Sequence, residues 1–377
     1  MEEKRRILIF STAYLPLIGG AEIAVHEITR RLDDFEFDLI CARIKPELPC
    51  NEKQGNMTIW RLGCGSLRDK FFFPWRAARL AGKLHSQKRF EAVWAIMASF
   101  GGLAALFFKK KFRKTPYILT LQEGDSNLHI FSRAVWLGPF WRQIFSKADR
   151  LTAISHYLKR FAKKHGARSE IEIVPNGVDL RKFRISNGEN QTRSKLGIGK
   201  DEKIIITVSR LVKKNGLGDV IGALALLPEN YKFLVLGSGP LEKNLKFKAK
   251  KLELENRVLF LGDVANKEIP TYLAIADVFI RPSLSEGLGN SFLEAMAAGV
   301  PIIGTPVGGI PDFLKDRETG IFCEVKNPKS VAEKIKLLLE NGDLKKKLIE
   351  NGKRIVEERY NWDSIALKMK EIFNKTI

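Results

Sequence analysis

The chain of 377 residues contains four cysteines, Cys41, Cys50, Cys64 and Cys323. They form no CxxC pair and have no histidines at finger spacing, which argues against a disulfide framework or a zinc module. The sequence also lacks an uninterrupted apolar run of the roughly 20 residues that span a membrane. Its N-terminal apolar stretch is broken by Pro16 and a glycine pair, which favours a buried strand and turn over a signal peptide. We expect a reduced, cytoplasmic protein.

Several catalytic signatures are missing as well. The sequence has no GxxxxGK[ST], HExxH, GxSxG or DxD motif, so nucleotide hydrolysis, serine-hydrolase chemistry and metal-dependent chemistry are disfavoured. The glycines of residues 237–240 lack the third glycine of a dinucleotide fingerprint. We therefore expect no metal and no resident cofactor.

Negative charge is scarce, because 64 Lys and Arg face 43 Asp and Glu and give a net charge of +21. Residues 51–168 alone hold 23 Lys and Arg against 6 Asp and Glu. A basic surface favours an anionic partner, which here means nucleic acid, an acidic membrane surface or a phosphorylated small molecule. A hydrophobic content of 45% with 15 prolines excludes a disordered or fibrous chain and indicates a globular one.

Short apolar runs alternate with helical periodicity along the whole sequence, which predicts parallel strands joined by crossover helices. The strands are expected at residues 6–10, 37–41, 92–97, 117–121 and 171–174, and again at 203–208, 232–236, 257–261, 277–280 and 300–303. A polar stretch at 181–200 separates the two sets. We predict an α/β protein of two Rossmann-like, doubly wound domains, residues 1–180 and 200–359, facing a central cleft. The C-terminal helix, 360–377, is expected to pack on the first domain.

The strongest constellation is the segment 282–299, PSLSEGLGNSFLEAMAAG, which follows a predicted strand and opens a helix. Gly287 and Gly289 free the backbone before the helix N-terminus, where unpaired N–H groups and the helix dipole suit a phosphate. Glu286 can lie at this turn beside the reacting group, and Glu294, about two turns on, can accept hydrogen bonds from sugar hydroxyls. The alternative is a chance pair of carboxylates on a solvated helix.

This segment resembles the E-x7-E signature of glycosyltransferase family 4, whose members are retaining enzymes with the GT-B fold. Further segments resemble that family in the expected order over essentially the whole chain. They are GGAE at 19–22, SHYL at 155–158, VPNGVD at 174–179, SRL at 209–211, GSGPL at 237–241 and VGGIPD at 307–312. The resemblance implies the GT-B fold, with the acceptor in the first domain and a nucleotide-diphosphate sugar in the second.

By that resemblance Glu294 binds the donor ribose, and Glu286 lies near the sugar ring and phosphate. Arg210 and a following lysine would neutralise the leaving diphosphate, since fixed cations must do so where no metal acts. The family's lysine position is Asn215 in this chain, and the role is assigned to Lys214, with Lys213 as the alternative. The rest of the implied donor site is Gly287, Leu288, Gly289, Asn290, Ser209, Gly237 and Gly239.

A second departure from the family follows the strand at 117–121. The family commonly has a histidine there, whereas this chain has Gln122, which can donate a hydrogen bond but cannot titrate. Glu123 and Asp125 are alternatives for contacting the acceptor or acting as a base, or they serve only the turn. The cation Arg281, directly after a predicted strand, has no assigned role.

The N-terminal half offers two further candidate sites. Gly19 and Gly20 form a turn between a strand and a helix, where backbone amides can approach a phosphate or the acceptor. Glu22 belongs to this turn by the resemblance, although it can simply cap the helix. Aromatic and basic residues mix in 71–90 and 107–114, as in helices that lie on anionic bilayers. A solvated basic face is the alternative.

The sequence therefore predicts a hexosyltransferase that needs no metal and retains the anomeric configuration. Its acceptor is expected to be a glycan or a lipid-linked molecule, and its place the cytoplasmic face of a membrane, in polysaccharide or glycolipid synthesis. A GT-B enzyme acting on a soluble sugar or sugar phosphate, or a sugar-nucleotide epimerase, is the rival within the fold. A nucleic-acid-binding protein would explain the charge, but it gives no purpose to Glu286 and Glu294, so no nucleic-acid partner is expected. A non-catalytic sensor of nucleotide sugars differs from the enzyme only in turnover.

Overall fold

A computed structural model describes residues 4–17, 19–124, 137–138, 140–183 and 189–377. The chain forms two compact units. The first consists of Met1–Asn176 together with the C-terminal Trp362–Ile377, and the second is Gly177–Asn361.

The first unit is built on a sheet to which the described residues contribute eight strands. Their order is β3-β4-β2-β1-β5-β6-β7-β8, and all neighbours are parallel except β3 and β4. The strands are β1 Arg5–Phe10, β2 Phe35–Ala42, β3 Asn51–Gln54, β4 Met57–Leu62, β5 Ala92–Ile96, β6 Tyr117–Leu121, β7 Arg150–Ala153 and β8 Ile171–Ile173. The central strands β5 and β6 are buried at every position, as expected for a parallel sheet covered on both faces.

Helices connect these strands in the crossover manner of a parallel sheet. They are α1 Gly20–Thr29, α2 Asp69–Lys88, α3 Phe100–Lys111, α4 Phe140–Ser146 and α5 His156–Lys164. Asp69 begins α2 by accepting hydrogen bonds from the N–H groups of Cys64 (2.8 Å), Gly65 (3.1 Å) and Ser66 (2.9 Å). These bonds hold the turn after β4, and they keep the pKa of the Asp69 carboxyl below its ordinary value.

The C-terminal helix returns to the first unit. Its side chain Phe373 is fully buried and packs against Phe35, Phe37 and Trp94, at ring-centroid distances of 5.6, 6.2 and 5.4 Å. Burying such a large aromatic side chain contributes several kcal/mol. The last segment of the chain is therefore part of the core of the first unit.

The second unit contains a parallel sheet to which its described residues contribute six strands, in the order β11-β10-β9-β12-β13-β14. The strands are β9 Lys203–Val208, β10 Tyr231–Leu236, β11 Val258–Gly262, β12 Val278–Ile280, β13 Ile302–Gly304 and β14 Ile321–Phe322. The helices around them are α6 Glu189–Lys195, α7 Leu217–Leu224, α8 Glu242–Lys251, α9 Ile269–Ala274, α10 Asn290–Ala297, α11 Pro328–Glu340, α12 Gly342–Arg359 and, in the first unit, α13 Trp362–Thr376. Short 3₁₀ turns lie at Leu180–Phe183, Lys213–Asn215 and Ile310–Asp312.

The strand order reverses at β1 and β5 in the first sheet, and at β9 and β12 in the second. In open sheets of this kind ligands bind at the carboxyl ends of the strands next to such a reversal. Two doubly wound α/β units confirm the fold class expected from the sequence.

Candidate functional site

The reversal in the second sheet brings two loops side by side. Residues 209–216 follow β9 and residues 281–289 follow β12, and the two strands pair in parallel. The loops are bonded directly, because the N–H of Leu284 donates to the carbonyl of Lys214 at 2.6 Å. The segment with the two predicted carboxylates therefore lies beside the segment with the predicted cations.

The turn before α10 is shaped by a glycine and anchored by buried apolar residues. Gly289 has a φ of 106°, in the left-handed region where other residues are strained. Leu288 before it and Phe292 after it are buried, with at most 1% of each residue exposed. The N–H of Gly287 already donates to Glu286 Oε1 at 3.0 Å. The N–H groups of Leu288 and Gly289 have no partner among the described residues, so they remain available to an anion.

Glu286 is held by the cation that the sequence left without a role. Its Oε2 accepts from Arg281 Nη2 at 2.6 Å, and the two side chains are only 13% and 7% exposed. The same guanidinium donates to Ser291 Oγ at 2.8 Å and lies over the Phe292 ring at 4.8 Å. Both carboxylate oxygens of Glu286 are thus engaged within the turn.

Glu294, one of the predicted donor ligands, lies on α10 and is partly accessible. Its carboxylate makes no hydrogen bond or ion pair with any other described residue. Burial raises its pKa to about 7, against the opposing effect of the positive charges of Lys182 and Arg281. A buried carboxylate with free acceptor positions is suited to bind ligand hydroxyls.

The predicted diphosphate cations lie on the loop after β9. Arg210 is exposed, and its guanidinium has no hydrogen bond or ion pair with another described residue. Lys214 is partly buried and Lys213 is exposed. Asn215, at the family's lysine position, is buried and donates its amide to the carbonyl of Arg210 at 2.6 Å. Asn215 therefore braces the loop.

Ser209, Gly237 and Gly239 meet at the ends of β9 and β10. A Cβ atom on Gly237 would overlap the carbonyl oxygen of Ser209, and one on Gly239 would lie 2.6 Å from that of Leu211. The Ser209 hydroxyl is buried without a hydrogen-bond partner among the described residues. The two glycines thus bring the backbones of these loops together, next to a hydroxyl that is free to bind a ligand.

In the first unit the glycine turn follows β1. Gly19 precedes α1 in an extended conformation, and Gly20 is the first residue of the helix. The Glu22 carboxylate folds back over the turn, because a Cβ on Gly19 would overlap its Oε2. It accepts a hydrogen bond from its own N–H, while burial raises its pKa. Glu22 therefore lies over the glycine turn at the start of α1.

Gln122 and Glu123 follow β6, while Asp125 lies outside the described residues. Gln122 is buried, and its Oε1 accepts from Asn176 Nδ2 at 3.0 Å. Its amide NH₂ group has no partner among the described residues and is the end left to donate. The buried Glu123 carboxylate accepts from the N–H of Ala98 at 2.5 Å and from that of Gln122 at 3.0 Å. Glu123 joins the ends of β5 and β6.

Two residues of the second-unit site were missed or left without a role by the sequence analysis. Lys182, in the 3₁₀ turn Leu180–Phe183, acts on the Glu294 carboxylate through its charge. Arg281 binds Glu286. An arginine at the end of an apolar strand is a signal that could have suggested a buried ion pair, whereas nothing in the sequence connects Lys182 with Glu294.

Two family models match this chain. The family described as Glycosyltransferase Family 4 matches residues 18–182, and that described as Glycosyl transferases group 1 matches residues 188–355. The GDP-mannose-dependent alpha-(1-6)-phosphatidylinositol monomannoside mannosyltransferase of Mycobacterium tuberculosis is 31% identical over 60% of this chain and 62% of its own length. The N-acetyl-alpha-D-glucosaminyl L-malate synthase of Bacillus anthracis is 33% identical over 60% of each chain. The matched part spans about three fifths of these relatives.

Solved structures with the same fold cover nearly the whole chain. A sucrose-phosphate synthase from Thermosynechococcus elongatus superposes with a TM-score of 0.88, at 20% identity and over 99% of both chains. Anabaena HepE in complex with UDP and glucose superposes with a TM-score of 0.82, at 20% identity, over 98% of this chain and 100% of that one. The fold is that of the GT-B glycosyltransferases. With both family matches, which together cover most of its length, the chain belongs to glycosyltransferase family 4.

The raised pKa of Glu294 predicts a pH-dependent cost to folding. In the unfolded chain this carboxyl titrates near 4.5 and in the folded protein at about 7. Between these values the folded state binds more protons, so the stability contributed by the protonated carboxyl is present below about pH 4.5 and lost as the pH rises to about 7. We expect E294Q, which cannot ionise, to gain stability relative to the wild type as the pH rises through this range.

Urea unfolding of both proteins at a series of pH values measures the difference in unfolding free energy. E357Q changes an exposed glutamate on α12 and serves as the matched control. A difference between E294Q and the wild type that stays constant from about pH 4.5 to 8 would contradict the raised pKa.

Proposed function

We propose that this protein transfers a hexose from a nucleotide-diphosphate sugar to an acceptor, with retention of the anomeric configuration. The observation that carries the proposal is the second-unit site. It combines the unpaired carboxylate of Glu294 with two free N–H groups before α10 and with cations on the adjacent loop. Carboxylate for hydroxyls and N–H groups for phosphate are the two kinds of contact that a sugar nucleotide requires.

For the donor, we propose that Glu294 accepts hydrogen bonds from the ribose hydroxyls and that the N–H groups of Leu288 and Gly289 bind the diphosphate. Support comes from a relative that is named as a GDP-mannose-dependent enzyme. It also comes from a structural neighbour that was solved in complex with UDP-glucose. The Ser209 hydroxyl, buried without a partner among the described residues, is a further contact for the donor.

For the chemical step, we propose that Arg210 and Lys214 stabilise the negative charge that grows on the leaving diphosphate, without a divalent cation. The guanidinium of Arg210 makes no hydrogen bond or ion pair with any other described residue, so its charge is available to the phosphate. Preorganised cations of this kind act mainly on the transition state. The leaving phosphate itself then receives the proton of the attacking acceptor hydroxyl, on the same face of the sugar.

For the acceptor, we propose the turn at Gly19 and Gly20 and the amide of Gln122, all at the carboxyl edge of the first sheet. Gln122 supplies a donor but no titratable group, so the first unit orients the acceptor and does not deprotonate it.

Donor binding is the first test of the proposed function. We expect the wild type, without divalent metal, to be stabilised by one member of a panel of UDP, GDP, ADP and their sugar conjugates. A ligand at 100 times its dissociation constant adds about 2.7 kcal/mol to the free energy of unfolding. E294A should weaken donor binding, whereas R210A should bind the donor and lose turnover, because its contact strengthens in the transition state.

Thermal shift measures the binding and product formation measures the turnover. The exposed E357A is the matched control and should behave as the wild type. No stabilisation of a folded wild type by any member of the panel would overturn the donor site, and unchanged donor binding in E294A would overturn the role of Glu294.

Stereochemistry tests the mechanism separately. We expect NMR of the first-formed product to show the anomeric configuration of the donor sugar, since the acceptor attacks on the face that the diphosphate leaves. The spectrum must be recorded before any mutarotation of the product. An inverted product would rule out same-face attack and leave the donor site untouched.

We also propose that the acceptor is lipid-linked and that the first unit binds an anionic membrane surface through residues 71–90 and 107–114. Phe72 and Trp75 on α2 are each 60% exposed, and Trp75 contacts Phe107 on α3 at 5.7 Å. Along the same helices Arg79, Lys83 and Lys111 line an open groove of about 460 Å³ with aromatic side chains beneath it. Exposed aromatic residues beside unpaired cations are typical of an interfacial surface. No helix among the described residues is long and apolar enough to cross a bilayer.

The aromatic pair gives a sharp test of membrane binding. We expect the wild type to sediment with phosphatidylglycerol vesicles at low salt, and the double variant F72S/W75S to bind at least about tenfold more weakly, because two apolar side chains no longer enter the interface. F247S removes an aromatic residue that is 70% exposed on the second unit and is the matched control. Equal sedimentation of all three proteins, or none by the wild type, would contradict this surface.

A soluble acceptor is the second candidate. The relative from Bacillus anthracis is an N-acetyl-alpha-D-glucosaminyl L-malate synthase, and L-malate is a small soluble molecule. If the wild type binds the donor and ignores vesicles, the acceptor is to be sought among soluble sugars, sugar phosphates and hydroxy acids.

A further inference from the structure

Arg281 is the most tightly held side chain of the second-unit site. It is 6% exposed, and each part of its guanidinium is engaged. Nη2 donates to Glu286 at 2.6 Å, Nη1 donates to Ser291 at 2.8 Å, and Nε donates to Ser283 at 3.3 Å. Its plane lies over Phe292. This network joins the end of β12, the glycine turn and the first turn of α10.

Stability alone is a weak reason for such a pair. Desolvating two charges costs about as much as their attraction returns, and well-packed apolar residues often serve a fold equally well. A role at the ligand site is a stronger reason, because Glu286 lies within three residues of the free N–H groups of Leu288 and Gly289. A Cβ on Gly289 would lie 3.3 Å from Arg281 Nη2 and 3.4 Å from Glu286 Cγ, so the ion pair touches the backbone that carries these groups.

An uncompensated carboxylate at this distance would repel a diphosphate. Two like charges that lie close together at a partly buried site repel each other more strongly than in bulk water. With Arg281 bound, the pair is neutral overall, and Glu286 remains oriented with its other oxygen on the N–H of Gly287. The site therefore presents N–H groups and cations to the ligand, and no net negative charge from Glu286.

We propose that Arg281 is a positioning residue that neutralises and orients Glu286, so that the diphosphate of the donor can reach the N–H groups of Leu288 and Gly289. This inference rests on the donor site proposed above. It assigns Arg281 to recognition of the charged part of the donor, while the nucleoside part feels Arg281 only through the effect of its charge on Glu294.

The experiment compares R281M, E286Q and the double variant R281M/E286Q. The probes are the nucleoside diphosphate that stabilises the wild type most and the corresponding uncharged nucleoside, both measured by calorimetry. We expect R281M to bind the diphosphate about tenfold more weakly or worse, because Glu286 is left unpaired beside it, and to lose clearly less affinity for the nucleoside than for the diphosphate. E286Q should keep its affinity for the diphosphate. The double variant should recover most of the affinity that R281M loses.

The outcomes separate this inference from the proposed function. If the wild type binds no nucleoside diphosphate, the donor site and this inference both fall. If the wild type binds but R281M binds the diphosphate equally well, or loses nucleoside and diphosphate in the same proportion, Arg281 has no specific role. If R281M does not fold, the folded double variant still tests the inference. A diphosphate affinity of the double variant far below that of E286Q would show that Arg281 does not act by neutralising Glu286.

Discussion

The candidate site depends on the parallel pairing of β9 with β12, at the point where the strand order of the second sheet reverses. This pairing places the loop with Arg210 beside the loop with Glu286, and the hydrogen bond between Leu284 and Lys214 fixes them together. The next strand, β13, adds a third loop, whose Gly309 N–H donates to the carbonyl of Glu286 at 3.1 Å. A Cβ on the neighbouring Gly308 would overlap that same carbonyl oxygen. The loop that carries Glu286 is therefore bonded to the loops on both sides of it, and Gly308 is needed where the backbones touch.

The charges of the site have two different roles because their surroundings differ. Glu286 is paired with Arg281 and is 13% exposed, so its charge is compensated inside the protein. The Glu294 carboxylate has no ion-pair partner among the described residues, and burial raises its pKa to about 7. The first carboxylate shapes the turn, and the second is left to bind a ligand. Two glutamates eight positions apart in one motif thus lie in different electrostatic surroundings.

The parts that sequence reasoning found are those with a simple periodic or local signal. Strands buried on both faces, such as 117–121 and 203–208, are continuous apolar runs and were predicted with their observed bounds. The edge strand β3, its neighbour β4 and the short β7 mix polar with apolar residues and were missed. The two glutamates were recognised through their motif. The ion pair between Arg281 and Glu286 was not, because a contact across a turn leaves no periodic pattern in the sequence. The influence of Lys182 on Glu294 depends on packing between distant segments.

Both main departures from the family pattern are buried and have a polar partner in the same unit. Gln122 replaces the usual histidine, and Asn176 binds its carbonyl oxygen at 3.0 Å. This bond fixes the orientation of the Gln122 amide. Its NH₂ group, which has no partner among the described residues, is then the end that can donate to a ligand. Asn215 replaces the usual lysine and binds the carbonyl of Arg210 at 2.6 Å. In each position a titratable or charged side chain is exchanged for an amide that bonds the protein itself. The cations that follow β9 are then Arg210 and the lysines before Asn215, and the charge of Arg281 is paired with Glu286. The chemistry proposed for this site therefore depends on fixed cations and on the substrate's own phosphate.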